Sequence, residues 1–204
     1  MTIADEPFEP EILDSAVAFH GRVWDIRAES FRYGGEVLRR EFMDHTGAVA
    51  VLALDEQERV CLVRQYRHPV RLREWELPAG LLDVDGESPL LAAQRELAEE
   101  VDLVAADWAL LAELANSPGG SNEVVRVFLA RGLAPTGVAF DRSGEESDME
   151  VRWVPLDDVV EAVRAGRVQN AIISIGALSA WLERGRGWSG LREAEEPWPR
   201  HPRA

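Results

Sequence analysis

Apolar and polar residues alternate over short distances through the first third of the chain. Val17 and Phe19, then Val23 and Trp24, stand among polar neighbours, so residues 16–20 and 22–28 are expected as strands. Residues 37–43 and 59–66 have the same character. Ala48 to Leu54 is almost wholly apolar, as a strand covered on both faces should be. Gly34-Gly35 marks a hairpin turn, residues 55–58 a polar connection, and Glu74 to Leu77 a short extended piece before Pro78.

The period changes at Ser88-Pro89. Serine is a good N-cap and proline suits the first helical position, so a helix is predicted from there to about Val101. Strands are expected near 108–115 and 123–131, joined through Ser117 to Ser121, and again over 149–154. Helices are expected over 155–165 and 170–183, with Gly166 at the break. Residues 1–15 read as a loose acidic arm and 132–148 as an irregular loop. The tail, 185–204, is rich in Gly, Pro, Arg and Trp and is expected to be mobile or to cover a surface. Mixed strands with separated helices imply an α/β/α or α+β layered domain.

Composition narrows the chemistry. The 204 residues carry a net charge of −15, and every one of the 22 basic residues is arginine. Without lysine there is no Walker-A lysine, Schiff base or Ser–Lys dyad. The acidity argues against nucleic acid held on a broad basic surface. A lone cysteine, Cys61, in an apolar run excludes an internal disulfide and a Cys-rich metal site. The N-terminus has no apolar signal-peptide core, and no apolar run reaches the roughly 18–20 residues of a membrane span. A soluble, cytoplasmic protein is expected.

On the helix after Ser88, Leu90, Leu97 and Val101 project within about 40° of one another and form the expected core stripe. Glu96, Glu99 and Glu100 share another sector at i, i+3, i+4. Like charges at those spacings disfavour the helix, and they sit toward its C-terminal end, the wrong end for anions. Arg95 offsets part of this. Three carboxylates so placed suit a hard divalent cation with oxygen ligands, Mg²⁺ or Mn²⁺.

With its flanks, this segment resembles the Nudix hydrolase signature, Gly-x5-Glu-x7-Arg-Glu-(apolar)-x-Glu-Glu-x-Gly-(apolar). Gly80 is followed by Glu87 and then by Arg95-Glu96-Leu97-Ala98-Glu99-Glu100-Val101-Asp102-Leu103. The chain departs from the pattern twice. Six residues rather than five separate Gly80 from Glu87, and Asp102 replaces the closing glycine, which is usually left-handed. The resemblance implies a Nudix α/β/α sandwich with a mixed sheet and hydrolysis of a diphosphate linkage. It implies metal ligation by Glu96, Glu99, Glu100 and the carbonyl of Ala79, with Glu99 counted also among the catalytic residues. Glu87 and Arg95 would brace the loop against the helix beside Gly80.

The residues leading into the signature, Glu74 to Gly80, and the run Leu62-Val63-Arg64-Gln65-Tyr66-Arg67 are similar to the ADP-ribose pyrophosphatase subgroup. That resemblance implies release of AMP and ribose 5-phosphate from ADP-ribose, and a homodimer exchanging N-terminal strands. Residues 1–46 would be the β-rich extension, 47–184 the catalytic domain and 185–204 a tail. It also implies Glu145 or Glu146 acting on the attacking water; the sequence leaves the choice open. Arg67 is the arginine expected on the substrate, with Trp24 against the base and Glu123 as a further contact; Phe31, Tyr33 and Tyr66 are other aromatic candidates. His20, His45, His68 and His201 lack paired metal-ligand spacing and read as incidental. Alternatives are another nucleoside diphosphate derivative (a nucleotide sugar, flavin adenine dinucleotide or an oxidised nucleotide) and a non-catalytic ADP-ribose sensor.

Overall fold

A computed structural model describes residues 3–138, 140 and 148–201. The chain divides into two compact units, one formed by the chain up to His45 with Ser117–Glu123, the other by Thr46–Asn116 with the chain from Val124 onward.

The first unit is an antiparallel meander of β1 (Ile12–His20), β2 (Asp25–Tyr33) and β3 (Glu36–Asp44) in the order β1-β2-β3. Gly34 and Gly35 adopt φ of +58° and +87°, so the expected hairpin turn uses the freedom of glycine. β1 begins at Ile12, inside the stretch expected as a loose arm, because Ile12 to Ser15 pair with Glu29 to Phe31 of β2. The loop Ser117–Glu123 is tied to the end of β3. Met43 N–H donates to the Gly120 carbonyl (2.9 Å), Asn122 Nδ2 to Asp44 Oδ1 (3.0 Å), and His45 N–H to Asn122 Oδ1 (2.7 Å).

The second unit is layered. β4 (Ala48–Ala53), β5 (Arg59–Arg67), β6 (Leu72–Glu76), β7 (Ala79–Leu81), α1 (Pro89–Val101), β8 (Leu103–Ala115), β9 (Val124–Pro135), β10 (Glu150–Pro155), α2 (Leu156–Arg164), α3 (Ala171–Gly185) and β11 (Arg192–Glu193) follow in chain order. A five-stranded mixed sheet has the order β11-β8-β9-β4-β7, with β4 parallel to β9; β10-β5-β6 form an antiparallel sheet. β4 is buried throughout. Ala48, Ala50 and Leu52 face a cluster completed by Leu156, Val159, Ile173 and Ala177 of α2 and α3. Val49, Val51 and Ala53 face the other cluster, with Ala92, Ala93, Leu97 and Val101 of α1. Helices therefore cover both faces of the five-stranded sheet, as expected.

β8 and β9 are longer than the sequence suggests. They pair from Leu103 opposite Pro135 to Ala115 opposite Val124, with one register shift between Leu110 and Ala112. Pairing resumes beyond Gly132, with Leu133 to Pro135 opposite Ala105 to Leu103, so the strand runs on although this stretch carries Gly and Pro. Gly132 adopts φ +65° within the strand.

Candidate active site

The site residues of the second unit come from β7, the loop after it, and α1. Ser88 caps α1, its hydroxyl accepting from Leu91 N–H at 3.3 Å, with Pro89 in the first turn. Asp102 ends it at φ 56°, ψ 35° and donates its N–H to the Ala98 carbonyl at 3.0 Å. The left-handed exit therefore survives without glycine. The Asp102 carboxylate accepts from Phe140 N–H at 3.2 Å, a side-chain bond unavailable to glycine.

α1 is rotated relative to the expected stripe. Ala92, Ala93, Leu97, Glu100 and Val101 are buried, and Leu90 is only partly so. Glu100 thus lies on the buried face, 5% exposed, where its carboxylate accepts from Ala79 N–H at 3.0 Å. Glu96 lies over Gly80, where an added Cβ would stand 2.0 Å from the carboxylate. Only glycine leaves that volume open. β7 holds both residues in place, Ala79 pairing with Ala50 and Gly80 with Val49 of β4.

Arg95 joins the acids. Its Nε and Nη2 donate to the two oxygens of Glu87 at 3.0 and 2.9 Å, a bidentate pair, while Nη1 reaches Glu96 and, at 3.2 Å, Glu99. The hydrogen bond it donates to Glu87, with the neighbouring carboxylates, raises the guanidinium pKa beyond its already high ordinary value, against the effect of burial. Among the described residues, no three His, Cys, Asp or Glu side chains are gathered closely enough to hold an ion. The expected ligands Glu96 and Glu99 instead lean on Arg95. The donor set still fits a hard divalent cation. It offers carboxylates beside main-chain atoms of residues 79–80, Glu100 fixed by hydrogen bonding, and a glycine at 80 that leaves room for the Glu96 carboxylate.

Arg67 lies beside this region of the chain. Its Nε and Nη2 donate to Glu76 at 2.8 and 2.7 Å, and Gln65 reaches the same carboxylate at 3.3 Å. Glu76 is 5% exposed, so it fixes the plane of a half-exposed guanidinium. Sequence alone paired Arg67 with a substrate but missed this internal partner. Arg64 points the other way, as strand alternation requires, and lies over the Trp75 ring at 5.1 Å; Arg152 also lies over that ring, at 4.8 Å.

In the first unit Trp24 stacks on His45, with centroids 4.1 Å apart and planes 19° from parallel. His45 is 5% exposed and burial lowers its pKa; its Nε2 lies 3.7 Å from Glu123 Oε1. His45, read as incidental, is brought together with Trp24 and Glu123, two residues expected on the substrate. No spacing rule signals this, because Glu123 arrives from a loop distant in sequence. Glu145 and Glu146 lie outside the described residues.

Residues 44–173 match the NUDIX domain. The chain belongs to the NUDIX family. It is 40% identical over 195 residues to an ADP-ribose pyrophosphatase of Mycobacterium tuberculosis, covering 95% of this chain and 93% of that protein. It is 35% identical over 154 residues to an ADP-ribose pyrophosphatase of Bacillus subtilis, covering 75% and 82%. A crystal structure described as an ADP compounds hydrolase superposes with a TM-score of 0.71 at 23% identity, covering 90% of this chain and 99% of that one. The last likeness establishes the shared fold, and membership of the family makes this NUDIX chain a hydrolase. No helix among the described residues is long and apolar enough to cross a membrane.

Proposed function

We propose that this NUDIX hydrolase cleaves the diphosphate linkage of ADP-ribose with water, giving AMP and ribose 5-phosphate. The observation that carries the reading is Glu100, buried and held to Ala79 N–H at the junction of β7 and the signature loop. Its place beside Glu96 and Glu99 in the signature supports a metal role, and two relatives named ADP-ribose pyrophosphatase supply the substrate class. Glu96, Glu99, Glu100 and the Ala79 carbonyl are proposed to hold Mg²⁺, with Mn²⁺ able to replace it. When bound, the divalent ion neutralises charge on the phosphate oxygens and lowers the pKa of a water.

The chain's own residues divide the remaining work. Glu87 keeps Arg95 in place, and Arg95 keeps Glu96 and Glu99 directed along one side of α1. Glu76 sets the plane of Arg67 for bidentate contact with an anionic substrate. Trp24 is proposed to stack on the base and Glu123 to accept a hydrogen bond from the nucleoside. Glu145 or Glu146 takes the proton of the attacking water as oxygen bonds to phosphorus and the bridging oxygen departs with the other phosphate.

The same reading includes a cytoplasmic homodimer in which residues 1–46 form the extension, 47–184 the catalytic domain and 185–204 the tail. The exposed apolar side chains Ile12, Leu13, Phe19 and Val23 of the first unit support a covering second copy. Light scattering on a sizing column tests the dimer.

The deciding experiment follows AMP release from ADP-ribose in Mg²⁺ for wild type and Glu100→Gln. Loss of turnover in a variant with an unchanged melting curve supports the metal role; full activity in that variant overturns it. A wild type that prefers a nucleotide sugar or flavin adenine dinucleotide by kcat/KM overturns the substrate. Binding of ADP-ribose without AMP release overturns the enzyme.

A further inference from the structure

The C-terminal segment is bound into the second unit. Glu183 of α3 is 9% exposed and accepts from Gly190 N–H at 2.8 Å; a Cβ on Gly190 would fall 2.6 Å from that carboxylate. Trp188 and Leu191 then pack on the cluster of α2 and α3. β11 adds to the edge of β8, with Arg192 opposite Leu110. Beyond it, Ala194 and Trp198 pack on the other cluster, the one that contains Leu82 and the buried face of α1. The segment therefore passes from one face of the sheet to the other around its β8 edge.

Its second anchor is Arg126 of β9. Arg126 is 2% exposed, and each of its guanidinium nitrogens donates to the segment or to β8. Nη1 donates to the Glu196 carbonyl at 2.7 Å, Nε to Glu113 at 3.0 Å, and the group lies 4.7 Å from the centre of the Trp198 ring. Burying a guanidinium is costly unless each donor is met, and here main-chain carbonyls of the segment meet it. A merely covering tail has no need of that device.

Beyond Trp198 the segment reaches the stem of the signature loop. Leu82 N–H donates to the Gly47 carbonyl at 3.1 Å. Gly47 has no side chain on the side where the His201 ring and Leu82 Cδ1 both lie 3.4 Å from the Cβ position. Ser88, Pro89 and Leu90 border a cleft of about 230 Å³ whose far wall is Arg126, Pro197 and Trp198. The loop that carries Glu87 thus meets the C-terminal segment at its Leu82 end, and Leu90 of α1 packs on the same cluster as Trp198.

We propose that the segment Arg192–His201 is a positioning element of the candidate active site, with Trp198 as its principal positioning residue. Anchored by Arg126, it fixes the Leu82 end of the loop that runs to Ser88, hence Glu87, hence the plane of Arg95 and the direction of Glu96 and Glu99. The inference rests on the proposal that those acids hold a divalent ion. It extends the site to a part of the chain outside the signature.

The test is Mn²⁺ titration by calorimetry on the full-length chain, beside Mg²⁺-dependent AMP release. Trp198→Ala is expected to weaken Mn²⁺ binding about tenfold, the low end for loss of a group supporting metal ligands. In turnover, kcat should fall and the Mg²⁺ requirement rise while KM for ADP-ribose stays unchanged, and Trp198→Phe should restore both. Wild-type Mn²⁺ affinity in a folded Trp198→Ala overturns the inference alone. No Mn²⁺ binding by the wild type overturns it together with the proposed metal site. If Trp198→Ala does not fold, native-state hydrogen exchange of the wild type decides. The amide of Glu87, bonded to the Val84 carbonyl, should open at the same low denaturant as that of Glu196. Protection at Glu87 that persists after Glu196 has exchanged overturns the inference.

Discussion

Gly80 and Glu96 compete for one volume: a Cβ on the glycine would fall 2.0 Å from the carboxylate. The obstacle is the far end of a flexible side chain, so Gly80→Ala should be tolerated by the fold, at a cost of about 1 kcal/mol. The displaced Glu96 should nonetheless lower Mn²⁺ affinity about tenfold. Urea denaturation and calorimetry on one preparation separate the two effects. Equal Mn²⁺ affinity in the alanine variant would show that Glu96 is not a ligand.

Arg95 gives a complementary prediction. Removing it in Arg95→Met leaves Glu87, Glu96 and Glu99 without their shared cation and should cost about 2 kcal/mol. Lysine should not rescue, because it cannot make the bidentate pair with Glu87. Since a bound cation stabilises the folded state by mass action and Arg95 directs the acids proposed to hold it, 10-fold increments of Mg²⁺ should raise the melting temperature of Arg95→Met less than that of wild type. An equal response in both proteins would separate Arg95 from the ion site.

Glu113 predicts a pH dependence. Burial alone would raise its pKa, but hydrogen bonds and charge from Arg126 and Arg192 lower it overall. A carboxylate with a depressed folded pKa contributes stability above its unfolded pKa, near 4.3, and that contribution vanishes as pH falls through the folded value. Glu113→Gln should therefore flatten the loss of stability below about pH 4.3. At neutral pH, Glu113→Ala should cost about 3 kcal/mol by leaving the buried Arg126 short of its partner. Urea midpoints across pH read both.

Cys61 should be chemically silent. It is fully buried, and burial, with the nearby charges of Asp55 and Glu100, pushes its thiol pKa up to about 12. Labelling by a thiol reagent should proceed only as fast as global unfolding, and should accelerate in urea in step with loss of fluorescence. Rapid labelling of the native protein would contradict the packing around β5.

Much of this was legible in the sequence where one short segment carries its own instructions. Ser88-Pro89 fixes the start of α1, and the unbroken apolar run of β4 announces a strand covered twice. The signature spacing pointed to Glu96, Glu99 and Glu100, and Asp102 kept the left-handed exit. What escaped depends on partners remote in the chain. Arg126 reads as one arginine in an apolar strand; its role appears only when the carbonyls of Glu196 and Pro197 close over it. The burial of Glu100 against the Ala79 main chain likewise lies beyond what a helical projection contains. The contacts of His45 and Arg67 escape for the same reason, since Glu123 and Glu76 reach them by tertiary contact.

The parallel pairing of β4 with β9 joins Ala48 to Val125 across more than a third of the chain. During synthesis β4 emerges long before the strand that completes it, and β7, with the backbone beneath Glu96 and Glu100, has β4 as its strand partner. Long-range pairings of this kind close late and slowly. A growing polypeptide should consequently acquire no grip on divalent ions until its ninth strand has left the ribosome.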